Sequence, residues 1–255
     1  MTTRRAPREP AWSEGVRVVL ARELSAWFDS PIAYVAIVAG LLATGSMFMN
    51  EFFLAGKLDM TPFFERLPWV LVLLLPAISM RLWSEDLRVR TFELWMTLPL
   101  EPAQVVLGKY LAALSVYAVF LLGTLPIVLV LCILGRPDLG AIASGYLGAA
   151  LLGALFLAAG MLLSGLTADQ IVAFLSAALA GLVLVSTGEE RVVAVLDGLA
   201  PRLAPGTLIA DHLSALPHYE TFVRGVIGLS SLAYFAGLSA LLLLWNAIIV
   251  GKRRS

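Results

Sequence analysis

Hydrophobicity along this chain comes in long uninterrupted blocks, unlike the alternation of a half-buried strand or the narrow stripe of a surface helix. Uncharged runs cover Ser30–Asn50, Leu67–Met80, Tyr110–Gly135, Leu139–Ala168, Gln170–Gly188 and Gly225–Gly251, with lengths of 21, 14, 26, 30, 19 and 27 residues. A helix rising ~1.5 Å per residue needs about 20 apolar residues to cross a hydrocarbon core of about 30 Å. All the runs but the second can therefore span directly. The second gains length from Arg66 and Arg81, which can snorkel, and from the interfacial residues Trp69 and Trp83. The pattern predicts an all-α, polytopic membrane domain over residues 1–255, with six spans at 31–53, 67–83, 110–134, 141–166, 170–187 and 221–250.

The segments between the blocks are unequal. Residues 1–30 hold a polar leader and a helix from Val16 to Phe28, in which Val16, Leu20, Leu24 and Trp27 share one arc that Glu23 interrupts. Asp29-Ser30-Pro31 turns the chain into the first span, with proline at the first helical position. Residues 84–109 form a charged island. Ser84 is placed to cap a helix from Glu85, with Glu85 and Asp86 against its positive end; Leu98-Pro99 stops it, and a second helix starts at Glu101-Pro102. On spacing alone, the first of these is an ordinary interfacial helix as readily as a docking element. The loop 188–220 alternates Val, Leu and Ile clusters with Pro and Gly, which predicts two short interfacial helices, a solvated loop being the plainer alternative. In the fourth span, Ala149 and Gly153, Ala150 and Ala154, and Gly160 and Ser164 are small pairs that permit close packing, inside the bundle ahead of a dimer face.

Composition strengthens the membrane reading: 60% of residues are hydrophobic and 14% charged, with a mean hydropathy of +0.89. The formal net charge of zero hides an asymmetry. Twelve Lys and Arg fall on the side of the termini and of residues 84–109, and six on the other, which predicts that both termini and that island are cytoplasmic. No cleavable signal peptide is expected. Cys132 lies in the third span and, as the single cysteine, forms no intramolecular disulfide.

Motifs for chemistry are missing. The chain has no His-Glu-x-x-His and no cysteine pair, and His212 and His218 read as surface residues of the outer loop. Gly108-Lys109 has Ala103 where a phosphate-binding loop needs its first glycine, and Gly251-Lys252 has Asn246 there. No catalytic, metal or cofactor-binding residue is expected, and nothing points to nucleic acid. The long runs also carry no Asp, Lys or Arg at membrane depth. Such residues cost about 2.5–3.5 kcal/mol on insertion scales and are kept mainly for function, so an ion-driven carrier is disfavoured and the energy source is sought outside the chain.

The string Met80 to Leu114, MRLWSEDLRVRTFELWMTLPLEPAQVVLGKYLAAL, resembles the signature of ABC type-2 transporter permeases, through Met80-Arg81, Glu85, Thr91, Glu93, Leu94, Leu98-Pro99, Val106 and Gly108-Lys109. Further similarity lies in Arg22–Val35, Pro68–Met80, Leu166–Phe174 and His218–Phe235, and is greatest to the gliding-motility and nitrous-oxide-reductase maturation branch. The resemblance implies a six-helix permease that pairs with a second permease, identical or different. Each would dock a separate cytoplasmic ATPase that holds the ATP and Mg. It implies that 84–109 is a coupling segment, with Glu85, Arg88, Thr91, Glu93 and Leu94 at the ATPase, that Val16–Phe28 is an elbow helix, and that Glu23, Thr167, Asp169 and Gln170 form a second, smaller contact. Transport, with export the expected direction, is the implied function; a non-transporting anchor or force-transmitting subunit is the alternative. Two departures stand out. Arg90 replaces the family's usual glycine, so the local turn is expected to differ or stay helical. Glu65-Arg66, at the outer mouth of the second span, is read as a surface ion pair ahead of the lining of an outer gate.

Overall fold

The computed structural model describes residues 12–55, 59–91, 95, 100–199 and 205–252. Its elements are helices at Trp12–Phe28 (α1), Pro31–Ala55 (α2), Thr61–Ser79 (α3), Arg81–Val89 (α4), Pro102–Gly123 (α5), Leu125–Leu134 (α6), Leu139–Ser164 (α7), Gln170–Ser186 (α8), Glu190–Leu199 (α9), Pro205–His212 (α10), Leu216–Val223 (α11) and Leu229–Lys252 (α12). No strand occurs among the described residues. Five helical stretches there are long and apolar enough to cross a membrane, or six if α8 and α9, which meet at a bend of 81°, make one span.

Helix α7 is the hub, packed against α3, α5, α8, α11 and α12. Its small residues let the others approach. A Cβ on Gly148 would lie 2.6 Å from the Phe222 side chain, and Gly145, Gly153 and Gly160 abut Phe64, Tyr117 and Ser79 as closely. Of the small pairs in the fourth span, Ala149, Gly153, Gly160 and Ser164 are buried and so serve packing within the bundle. Bulk on the neighbours fills the space these glycines leave, and the hydroxyls that come with it find carbonyls: Tyr117 donates to Ala149 O at 2.7 Å, Tyr110 to Ala154 O at 3.0 Å and Tyr219 to Phe64 O at 2.8 Å. In a setting without water each such bond removes an unsatisfied polar group.

Several boundaries differ from those the charge pattern predicts. The second span starts at Thr61, not at 67, because Asp59 accepts from the N–H and hydroxyl of Thr61 and so opens the helix upstream of Glu65 and Arg66. Length is thus no difficulty for it. Glu65 and Arg66 do not form the expected pair: neighbours in a helix point apart, and the two line separate clefts. The third span carries a one-residue interruption at Thr124, while Pro102–Leu134 remains one apolar stretch long enough to cross a membrane. Pro126 has no N–H and its ring crowds the carbonyl four residues back, so α5 ends and α6 begins, with the Thr124 hydroxyl bonded to Leu121 O and to Tyr146. The sixth span starts at Leu229, not 221, since the positive φ of Gly225 (81°) turns the chain between α11 and α12. Helices α7 and α8, at 139–164 and 170–186, cover nearly the residues expected for the fourth and fifth spans. Within 188–220 the described residues hold α9, α10 and the start of α11. Asp197 joins α9 to α10 by accepting from the N–H groups of Gly206 and Thr207 and from the Thr207 hydroxyl.

Candidate functional site

The start of α5 is the meeting point of one end of the bundle. Its Gln104 side chain donates to Trp12 O at 3.3 Å and accepts from Glu101 N–H at 2.8 Å, closing a capping box around Pro102. The helix start expected at Glu101-Pro102 is therefore observed. Gly251 of α12 stands over Pro102, so the first and last helices end on the same side. Helix α1 lies against α5 with almost no gap: a Cβ on Gly15 would meet Gln104 at 2.8 Å, and one on Gly108 would meet Val19 at 2.6 Å.

One turn further along α5 is Lys109, only 2% exposed. Its ammonium donates to Glu23 Oε1 of α1 at 2.7 Å and lies 2.7 Å from Asp86 Oδ2 of α4. The rings of Trp83 and Trp95 flank it at 5.2 and 5.4 Å, within cation–π reach, and Arg22 also lies over the Trp95 ring at 4.4 Å. A lysine buried with one carboxylate would keep unmet donors; two carboxylates and two indole faces offset more of its desolvation. This cluster joins α1, α4 and α5. A second clamp lies beside it, where Arg81 binds Glu85 (2.8 and 3.2 Å), donates to Ser30 Oγ at 2.8 Å in the turn before α2, and sits over Trp27.

Helix α4 is also fixed from α7. Ser164 Oγ accepts from the N–H groups of Trp83 and Ser84, both at 3.1 Å, and donates to Met80 O at 2.9 Å. It thereby satisfies N–H groups that a helix start leaves without intrahelical partners. The expectation that Ser84 caps a helix from Glu85 is overturned. The helix starts at Arg81 with Met80 at its cap position, Ser84 is buried with its hydroxyl on Met80 O, and Glu85 and Asp86 fall in the second turn. At the other end Arg90 closes α4 in the left-handed conformation, φ 60° and ψ 21°. The turn a glycine makes cheaply is thus made here by arginine, contrary to the expected loss of that turn. Beyond it the Thr91 hydroxyl donates to Asp86 Oδ1 at 2.7 Å and folds the chain back onto the cluster.

The residues singled out from sequence thus separate. Glu23 is drawn into the Lys109 cluster, Thr91 reaches it through Asp86, and Glu85 is spent on Arg81. Arg88 is exposed at the end of α4, with Val89 and Arg90 beside it. Glu93 and Leu94 lie outside the described residues. Asp169 caps α8 by accepting from Ile171 N–H at 2.8 Å, and its own N–H donates to Thr167 Oγ at 3.1 Å. Gln170 is the first residue of α8. The turn these residues make packs near α4, with Gly165 facing Trp83. Asp86, Lys109, Trp83 and Ser164 complete the arrangement and were not identified from sequence as a group. The signals were a carboxylate (Glu23) inside an apolar arc and a lysine at the edge of an apolar run. The chain matches no protein-family model, and no curated protein is similar to it.

Proposed function

We propose that this chain is the membrane-spanning permease subunit of an ABC-2 type transporter. In this reading a separate cytoplasmic ATPase docks on α4 and the residues after it, and two permeases together carry a solute across the inner membrane of a bacterium, outward. Helix α1 is the elbow, both termini are cytoplasmic, and ATP and Mg are held by the partner. The observation that carries the reading is the Lys109 cluster. It fastens a short, surface-exposed helix at once to α1, to α5 and, through Ser164, to the central α7. A helix fixed only by its own apolar face could rock without moving its neighbours, whereas this one transmits displacement into membrane-spanning helices. Arg88, Val89 and Arg90 present its free end to a partner.

Affinity purification of the tagged chain from native membranes in mild detergent, followed by mass spectrometry, tests the proposal. A stoichiometric chain containing Gly-x-x-x-x-Gly-Lys-Ser/Thr is expected, and Glu93→Lys should release it while leaving insertion intact. ATP hydrolysis by the complex in vesicles should rise with a transported solute. Recovery of the chain without any such ATPase would overturn the proposal, and hydrolysis independent of every solute would turn it towards a force-transmitting anchor.

A further inference from the structure

A cleft at the opposite end of the bundle and a groove that runs from there along α2 and α3 share one wall. A cleft of about 460 Å³ opens between the start of α3, the α8–α9 junction and α11. Glu65, Glu189, Glu190 and Glu220 line it, with Arg224 as the cation. Arg224 is already held by Glu220 at 2.9 Å, which leaves Glu65, Glu189 and Glu190 without a cationic partner among the described residues. A groove of about 470 Å³ runs between α2 and α3, floored by Ala36, Ala39 and Ala43 and walled by Leu73 and Ala77. Trp69, 39% exposed, lines both.

Each volume falls within the range of ligand sites, about 300–1,000 Å³. Three carboxylates without a cationic partner among the described residues, around one cleft, attract positive charge, and the indole at its edge offers a face to a cation. The groove offers a different chemistry: apart from Trp69, its lining is small or aliphatic. In a bilayer such a groove gains little from hydrophobicity, since lipid is equally apolar, so it selects by shape while the cleft selects by charge. We propose that the two compartments together bind a cationic amphiphile, its ammonium head among Glu65, Glu189 and Glu190 and its alkyl chain past Trp69 in the α2–α3 groove. The site stands on this juxtaposition and is independent of whether an ATPase docks at the other end.

The test uses the full chain in phosphatidylcholine nanodiscs, with an undecyl trimethylammonium brominated in the first half of its chain, where it passes Trp69, as probe; the bromine quenches tryptophan at short range. Saturable quenching is expected, with most of it lost in Trp69→Phe. The triple variant Glu65→Gln/Glu189→Gln/Glu190→Gln should weaken the apparent affinity at least about tenfold, the order expected for three like charges within several ångströms of the head after screening. The corresponding bromoundecyl sulfate should give no saturable phase. Quenching that rises linearly with probe, that is unchanged in the triple variant, or that saturates equally with the sulfate would overturn the assignment. Should the triple variant fail to fold, the ammonium-to-sulfate comparison on the unaltered chain decides by itself.

Discussion

Replacing Lys109 by methionine keeps the aliphatic stem and deletes the ammonium, and the consequence can be worked from the cluster's geometry. Glu23 Oε1 and Asp86 Oδ2 each lie 2.7 Å from Nζ, so they stand no more than twice that distance apart, and both side chains are only 14% exposed. At an effective dielectric near 20, two like charges at that separation repel by about 3 kcal/mol. Removing one partner from a buried ion pair typically costs ~3–5 kcal/mol, which is the same order. For a chain of this size such a loss lowers the melting temperature by roughly 6–12 °C. Thermal unfolding in detergent, followed by tryptophan fluorescence, reads it directly, because Trp83 and Trp95 flank the lysine. The triple variant Glu23→Gln/Asp86→Asn/Lys109→Met should recover at least half of the loss, since it removes the repulsion along with the attraction. An unshifted melting temperature in Lys109→Met, or a triple variant no better than the single one, would refute the reasoning.

Three further outcomes are expected. Gly108→Ala places a methyl 2.6 Å from Val19 and 3.1 Å from Val16 O, so it should lift α1 from α5 and cost about 1–3 kcal/mol in the same melt, with Val19→Ala restoring part. Arg90→Gly should raise stability by about 0.5–1 kcal/mol and Arg90→Val lower it, because the left-handed turn at φ 60° suits glycine and strains a β-branched residue. Hydrogen bonds from the Thr207 hydroxyl, and then from the N–H groups of Thr207 and Gly206, hold the Asp197 carboxyl below its ordinary 3.8. Its contribution to the α9–α10 junction is therefore fully present above that pH and fades as pH falls through the lowered value. Protection of the Gly206 and Thr207 amides, taken as exchange relative to the intrinsic rate at each pH, should fall there in the parent chain, and should be lower and without that step in Asp197→Asn.

Much of the fold was legible because a bilayer imposes length on apolar runs, and α7 and α8 follow their runs within a few residues. Misplaced boundaries share a cause. Counting from charge to charge treats Glu65 and Arg66 as the edge of a span, whereas α3 carries them within its first turns, where they face clefts. Pro126 lay in view inside the third run, but length alone gave no reason to break the helix there. The site was harder to read. Glu23 and Lys109 are 86 positions apart, and only the packing of α1 on α5 through Gly15 and Gly108 shows why a carboxylate in an apolar arc is no interruption. Arg90 misled for a local reason: the cost of its left-handed φ was used to doubt the turn, while Thr91, bonded back to Asp86, holds the turn in place.

The most direct test of the proposed function is a photo-crosslinker, p-benzoylphenylalanine, placed at Arg88 and irradiated in native membranes, with the same residue at Val195 of α9 as a control at the far end. The account predicts a covalent adduct at Arg88 with a chain that carries a Gly-x-x-x-x-Gly-Lys-Ser/Thr loop, and none at Val195. No adduct with such an ATPase at Arg88, or equal capture at both positions, would contradict it.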